Sequence, residues 1–91
     1  MNFIQRENKY KLEAEYQGYT NYETWNVVLW ISGEEPIYRD VVRKKPFTEE
    51  SAEEFVKNHY PKGTPDLKSK GGAKAYDKVN WKEVVDAFNE L

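Results

Sequence analysis

From Tyr10 to Tyr16 the chain alternates strictly, with Tyr10, Leu12, Ala14 and Tyr16 set against Lys11, Glu13 and Glu15. A period of two marks a half-buried strand. Lys, Leu, Glu and Ala are good helix formers, but helical spacing would scatter these apolar residues around the cylinder. The alternation therefore predicts extended structure. Phe3 and Ile4 would form a short partner strand, Glu7-Asn8 would lie near the turn, and Gln17-Gly18 would end the segment.

After Gly18 the period becomes helical. Thr20 and Glu23 have the spacing of a capping box, with Tyr19 as a staple residue. Tyr22, Trp25, Val28, Leu29 and Ser32 form one stripe, and Val27, Trp30 and Ile31 make the other side apolar too. That predicts a central helix over 22–32, closed by Gly33 as a left-handed cap. Glu34-Glu35-Pro36 opens a second helix over 36–44, since proline suits the first turn and acids suit the N-terminus. Its expected inner face is Ile37, Tyr38, Val41 and Val42; Arg43-Lys44-Lys45 complement the dipole at its end, and Pro46 stops it. Thr48 to Ser51 opens a third helix over 49–60, with Ala52, Phe55, Val56 and His59 or Tyr60 inward and Pro61-Lys62-Gly63 beyond it. Asn80, with Glu83 at the box position, opens a last helix over 81–90. Trp81, Val84, Val85, Phe88 and Leu91 make its stripe. Residues 68–78 are weakly patterned and read as a flexible basic loop with one helical turn near 73–76. The expected fold is mainly α, a small four-helix single domain over 18–91 with a short N-terminal β segment or hairpin in 1–17.

Composition narrows the chemistry. The 91 residues hold one domain's worth of core. Net charge is −2, with 14 basic against 16 acidic residues, which disfavours both a strongly basic nucleic-acid binder and a polyacidic mimic. The absence of cysteine excludes disulfides, thiol catalysis and cysteine-bound zinc. A single histidine cannot build a multi-histidine metal site. No apolar run approaches the roughly 18 residues of a membrane span, and the N-terminus lacks the basic-then-apolar form of a signal peptide, so a cytoplasmic protein is expected. The oddity is aromatic content of 15% at a mean hydropathy of −0.97. Large rings bury ~150–250 Å² each, so the tryptophans are expected to build the core, while some tyrosines are left to the surface.

Candidate chemistry is sparse. Glu49, Glu50, Glu53 and Glu54 resemble a carboxylate cluster, but acids in the first two turns of a helix more simply complement its N-terminus. His59 falls near a helix end, where solvent or the dipole accounts for it. Ser32, Ser51 and Ser69 have no activating partners in sight. Gly71-Gly72 fits neither common phosphate-loop pattern. An enzyme is not expected, and no cofactor or metal is implied.

One stretch is distinctive as text, running Gly18-Tyr-Thr-Asn-Tyr-Glu-Thr-Trp-Asn-Val-Val-Leu-Trp30. It resembles the signature G-[YW]-T-N-Y-x-T-W-x-V-x-L-W of an uncharacterised family of small bacteriophage and mobile-element proteins. Val79-Asn-Trp-Lys-Glu-Val-Val85 resembles that family's C-terminal V-[ND]-W-x-E-[IV]-[AV] element. The resemblance covers 18–91 in outline, leaving 1–17 and the basic loop without counterparts, and it implies a context more than a mechanism. The plainer reading of the signature is a folding nucleus, a capped helix packed on the last one. The functional reading displays Tyr22, Asn26 or Trp30 to a partner.

Two functions compete. The first is a non-enzymatic protein-interaction module, a stoichiometric inhibitor of a host or defence-system protein. Its contacts would be Tyr10, Leu12, Tyr16, Tyr22 and Trp30, with the N-terminal strand adding to a partner's sheet edge or to its own copy in a homodimer. The alternative is a nucleic-acid-binding accessory that uses Lys68, Lys70, Lys74 and Lys78 on the backbone and Tyr76 to stack on a base.

Overall fold

The computed structural model describes residues 16–91. The expected hairpin and all but the last residue of the alternating stretch, Tyr10 and Leu12 included, lie outside the described residues. Four α-helices follow in order: α1 Tyr22–Gly33, α2 Glu35–Lys44, α3 Glu49–His59 and α4 Trp81–Asn89. Two 3-10 helices, Leu67–Lys70 and Gly72–Lys78, fill the span between α3 and α4. Among the described residues no strand occurs. Tyr16 itself is helical, and its carbonyl accepts from the Tyr19 N–H at 2.9 Å. The expected strand therefore does not reach Tyr16, because the chain reverses there through positive φ at Gln17 and Gly18.

The local signals for helix ends act at most of the expected places. Thr48 caps α3, accepting from the Ser51 N–H while Ser51 returns the bond to the Thr48 N–H. Asn80 caps α4 by accepting from the Glu83 N–H. Two expectations fail. The cap of α1 is Asn21, not Thr20, and Asn21 accepts from the Thr24 N–H. Gly33 stays helical; extended Glu34 both ends α1 and begins α2, so no left-handed cap is needed.

The core gathers Val27, Val28 and Ile31 from α1, Val41 from α2, and Ala52, Phe55 and Val56 from α3. Val84 and Phe88 of α4, with Phe47, Leu67, Ala75, Tyr76 and Val79, complete it. None of the three tryptophans is in this buried set. Trp81 packs against it, while Trp25 and Trp30 are half-buried on α1. The rings that do fill the core are Phe47, Phe55, Phe88 and Tyr76. Helix α4 packs on α1, α2 and α3, and α1 packs on α4, α2 and the second 3-10 helix. Helix α1 buries only Thr24, Val27, Val28 and Ile31 with Asn26, and leaves Leu29 43% exposed. The side with Val27 and Ile31 is the buried one, and the stripe with Tyr22, Trp25 and Leu29 lies at the surface. Likewise α2 buries Val41 and half-buries Ile37, while Tyr38 and Val42 face out. Helix α2 packs on α1 and α4 along the stripe of Ile37 and Val41, and positions 38 and 42 fall on the next stripe round.

The span 68–78 is not a flexible loop. Leu67, Ala75 and Tyr76 are buried, and Gly63 lies so close to Gly72 that a Cβ there would sit 3.1 Å from the Gly72 carbonyl oxygen. With φ of +99°, Gly63 combines a left-handed backbone with a close approach, and glycine suits both.

Candidate functional site

Two polar joints organise the molecule around α1. The first locks the start of α1 to the start of α4. The Asn21 Oδ1 accepts from the Thr24 N–H at 3.0 Å and from the Thr24 hydroxyl at 2.6 Å. The other side of the same amide donates to the Lys78 carbonyl at 2.7 Å. The Thr24 hydroxyl oxygen accepts from the Asn80 N–H at 2.9 Å. The Glu83 carboxylate, which a capping box would have turned back on its own helix, instead accepts from the Thr20 N–H at 2.9 Å and the Thr20 hydroxyl at 2.7 Å. Each helix start thus supplies acceptors for free donors at the other, which satisfies the backbone groups that helix termini leave open.

The second joint fastens the span after α3 onto α1. Asn26 is fully buried. Its Oδ1 accepts from the Thr64 hydroxyl at 2.5 Å, and its Nδ2 donates to Asp66 Oδ2 at 2.8 Å. The Trp30 indole N–H donates to the same carboxylate oxygen at 2.9 Å. The Leu67 N–H donates to the Thr64 hydroxyl at 3.2 Å. Hydrogen bonds from Asn26 and Trp30, with Lys70 nearby, hold the Asp66 carboxyl below its ordinary pKa against the opposing effect of burial. Asn26 is therefore not displayed to a partner. Thr64-Pro65-Asp66 reads in the sequence as a possible helix start, and a 3-10 helix does follow at Leu67, but nothing there marks Thr64 and Asp66 as partners of α1; the available signal is an amide in the middle of an apolar helix, which needs a buried acceptor and donor somewhere.

The remaining candidate residues separate into two surfaces. Tyr16, Tyr22 and Trp25 form an aromatic edge, with ring centroids 5.6 to 6.4 Å apart and all three half-buried. Trp30 lies along the same helix, half-buried, with its ring edge-on to Tyr60 at 6.3 Å. Lys68, Lys70, Lys74 and Lys78 are exposed on the 3-10 helices. Lys70 reaches over the Tyr22 ring at 5.6 Å, which joins the two surfaces.

Tyr76 does not belong with those lysines. It is 2% exposed, and its hydroxyl donates to the Tyr60 carbonyl at 2.6 Å, so it offers no face to a base. Burial, with Tyr60 beside it, pushes its pKa up to about 12. The unfolded chain releases this proton near pH ~10, so the folded state holds more protons between those values. Stability is then expected to fall as pH rises from 10 toward 12, and Tyr76→Phe should flatten that fall in urea titrations at alkaline pH.

The acidic residues do not converge. Among the described residues no group of three or more His, Asp or Glu side chains is placed to hold a metal ion. Glu53 pairs with Lys57 at 2.7 Å on its own helix. His59 lies 4.0 Å from Asp40 and against the Phe55 ring. A cleft of 290 Å³ between residues 17–19 and α4 is lined by Glu83, Asp86 and Glu90, the first already engaged by Thr20. No helix among the described residues is long and apolar enough to cross a membrane.

These features define a small helical domain whose polar side chains are spent mainly on joining its elements. A family model matches residues 12–91, and the chain belongs to that family, a family of unknown function (DUF7249). The match begins at Leu12, so part of the segment set apart from the resemblance lies within the family. No curated protein and no solved structure matches the chain.

Proposed function

We propose that this protein is a non-enzymatic interaction module of the phage or mobile-element type, acting in the host cytoplasm as a stoichiometric inhibitor of a host or defence-system protein. The observation that supports this reading is the aromatic edge. Tyr22 and Trp25 stand half-buried on a helix fixed at both joints, and Tyr16 packs on both from the turn before it. Tyr and Trp are enriched where binding energy concentrates, and a rigid backbone lowers the ordering cost of using them. Trp30, and Tyr10 and Leu12 beyond the described residues, extend the proposed contact set.

The test is capture from host lysate followed by titration of the purified partner, with mass in solution measured for the free protein and the complex. A one-to-one complex is expected. Tyr16→Ala/Trp25→Ala should keep its helical circular dichroism and lose ~30-fold or more in affinity, the scale of a hot-spot loss of about 2 kcal/mol. If no protein is retained in stoichiometric amount, or the double variant binds as tightly as the wild type, the reading fails.

A further inference from the structure

We infer that the lysine-bearing segment 62–78 is the electrostatic half of the docking surface, and that the partner presents a carboxylate-rich protein face to it. This rests on the interaction-module reading and names the partner's chemistry.

The cations of the α-helices are largely spent within their own helices. Arg39 pairs with Glu35, Arg43 with Asp40, Lys57 with Glu53 and Lys82 with Asp86. The segment 62–78 differs. Among the described residues none of its five lysines, Lys62, Lys68, Lys70, Lys74 and Lys78, forms an ion pair. Only two aspartates accompany them, and Asp66 is turned inward onto Asn26 and Trp30. A surplus of positive charge therefore stands on one segment of a chain whose net charge is −2.

The segment is also held in place. Thr64 is buried on Asn26, Leu67 and Ala75 are in the core, and the Tyr76 hydroxyl is tied to the Tyr60 carbonyl. Its lysine stems thus start from a fixed backbone, and docking pays less ordering entropy there than on a free loop. Lys70, lying over Tyr22, makes this surface continuous with the aromatic edge. An aromatic edge with Lys70 over one of its rings and four more unpaired lysines on the adjoining segment fits a partner with an apolar centre and an acidic rim, where charge sets the encounter rate and the register.

Protein carboxylates fit better than a nucleic-acid backbone. The one aromatic ring of the segment, Tyr76, is buried, so no ring stands among the lysines for bases to stack on, and the rings of the adjoining edge pack on one another.

The test compares the full chain with K68E/K70E/K74E and with K68R/K70R/K74R. Circular dichroism of all three is expected to match, since these side chains are exposed. Binding is measured to the captured partner, to a labelled oligoglutamate peptide and to a single-stranded oligodeoxynucleotide of equal charge, each across a salt series. Salt-weakened binding to the partner and to oligoglutamate is expected, lowered at least ~10-fold by the reversal variant and retained by the arginine variant. Tighter binding to the oligonucleotide than to oligoglutamate overturns the inference. So does partner binding that depends on Trp25 but ignores the lysine reversal, and in that case the module reading stands. A lysate that yields no protein overturns both.

Discussion

Phe88→Ala is expected to lower the unfolding free energy by ~3–5 kcal/mol, the range for emptying a buried aromatic site. The ring is fully buried on α4. It meets Phe47 at 5.3 Å and Phe55 at 6.2 Å, and those two meet each other at 5.4 Å, all edge-on. Phe47 stands on the connection between α2 and α3, and the next residue of α4, Asn89, grips it through paired amide bonds. The Phe47 N–H donates to Asn89 Oδ1 at 2.7 Å, and Asn89 Nδ2 donates to the Phe47 carbonyl at 3.3 Å. Removing the Phe88 ring leaves a cavity between α3, α4 and that connection, which these amide bonds keep from collapsing. Domains of this kind have only ~5–15 kcal/mol to lose. Urea unfolding should show a much lower midpoint with little change in slope. Phe88→Leu should keep most of the stability, within ~1.5 kcal/mol, because it keeps most of the volume. A Phe88→Ala loss under ~1 kcal/mol would show that the core does not close on this ring.

The helices were legible in the sequence because their ends are local chemistry. Thr48 with Ser51, Asn80, Pro36 and Pro46 act within a turn of where they stand, and the expected bounds of all four helices lie within a residue or so of those observed. What could not be read locally is where a polar side chain finds a distant partner. Thr20 and Glu23 have box spacing, yet Thr20 bonds Glu83, sixty-three residues away. Asn26 reads as a displayed amide until Thr64 and Asp66 are brought to it. The tryptophans misled for a related reason. Size and hydrophobicity predict burial, but an indole N–H needs an acceptor. Trp30 finds one in Asp66, at the half-buried margin of the fold rather than in the core. The lysine-rich span was misread because spacing gives no warning of tight 3-10 packing around glycines such as Gly63.

The two stretches that carry the textual resemblance, 18–30 and 79–85, turn out to be the two sides of the first joint. Thr20 and Thr24 on one side engage Asn80 and Glu83 on the other, and Asn21 donates to the Lys78 carbonyl just before the second stretch. Their polar residues are accounted for by folding. The residues whose side chains the joints do not engage are Tyr16, Trp25 and the lysines of 62–78, and these stand beside Tyr22, whose hydroxyl accepts from Asn26.

Asn26→Leu tests the second joint. Leucine shares asparagine's branching at Cγ but is larger, and it cannot accept from Thr64 or donate to Asp66, so it leaves a buried hydroxyl and a partly buried carboxylate short of partners. Each unsatisfied buried group costs ~1–3 kcal/mol, and a loss of about 3 kcal/mol is expected for the variant. Thr64→Val alone should also destabilise. The double variant should lose less than the sum, because the hydroxyl and the amide satisfy one another. The acid side of the stability profile gives a second readout. Asn26 and Trp30 hold the Asp66 carboxyl below its ordinary pKa. A carboxyl depressed in the folded state adds stability above its unfolded pKa and loses it as pH falls through the lowered value. The wild type should therefore weaken over that acidic window, and Asn26→Leu should weaken less steeply there, having already lost the first of the two donors. Trp30 fluorescence in the variant should report whether the indole keeps Asp66 as its acceptor. An Asn26→Leu protein with the wild-type urea midpoint and an unchanged acid profile would mean that the span after α3 is held by its buried leucine, alanine and tyrosine alone.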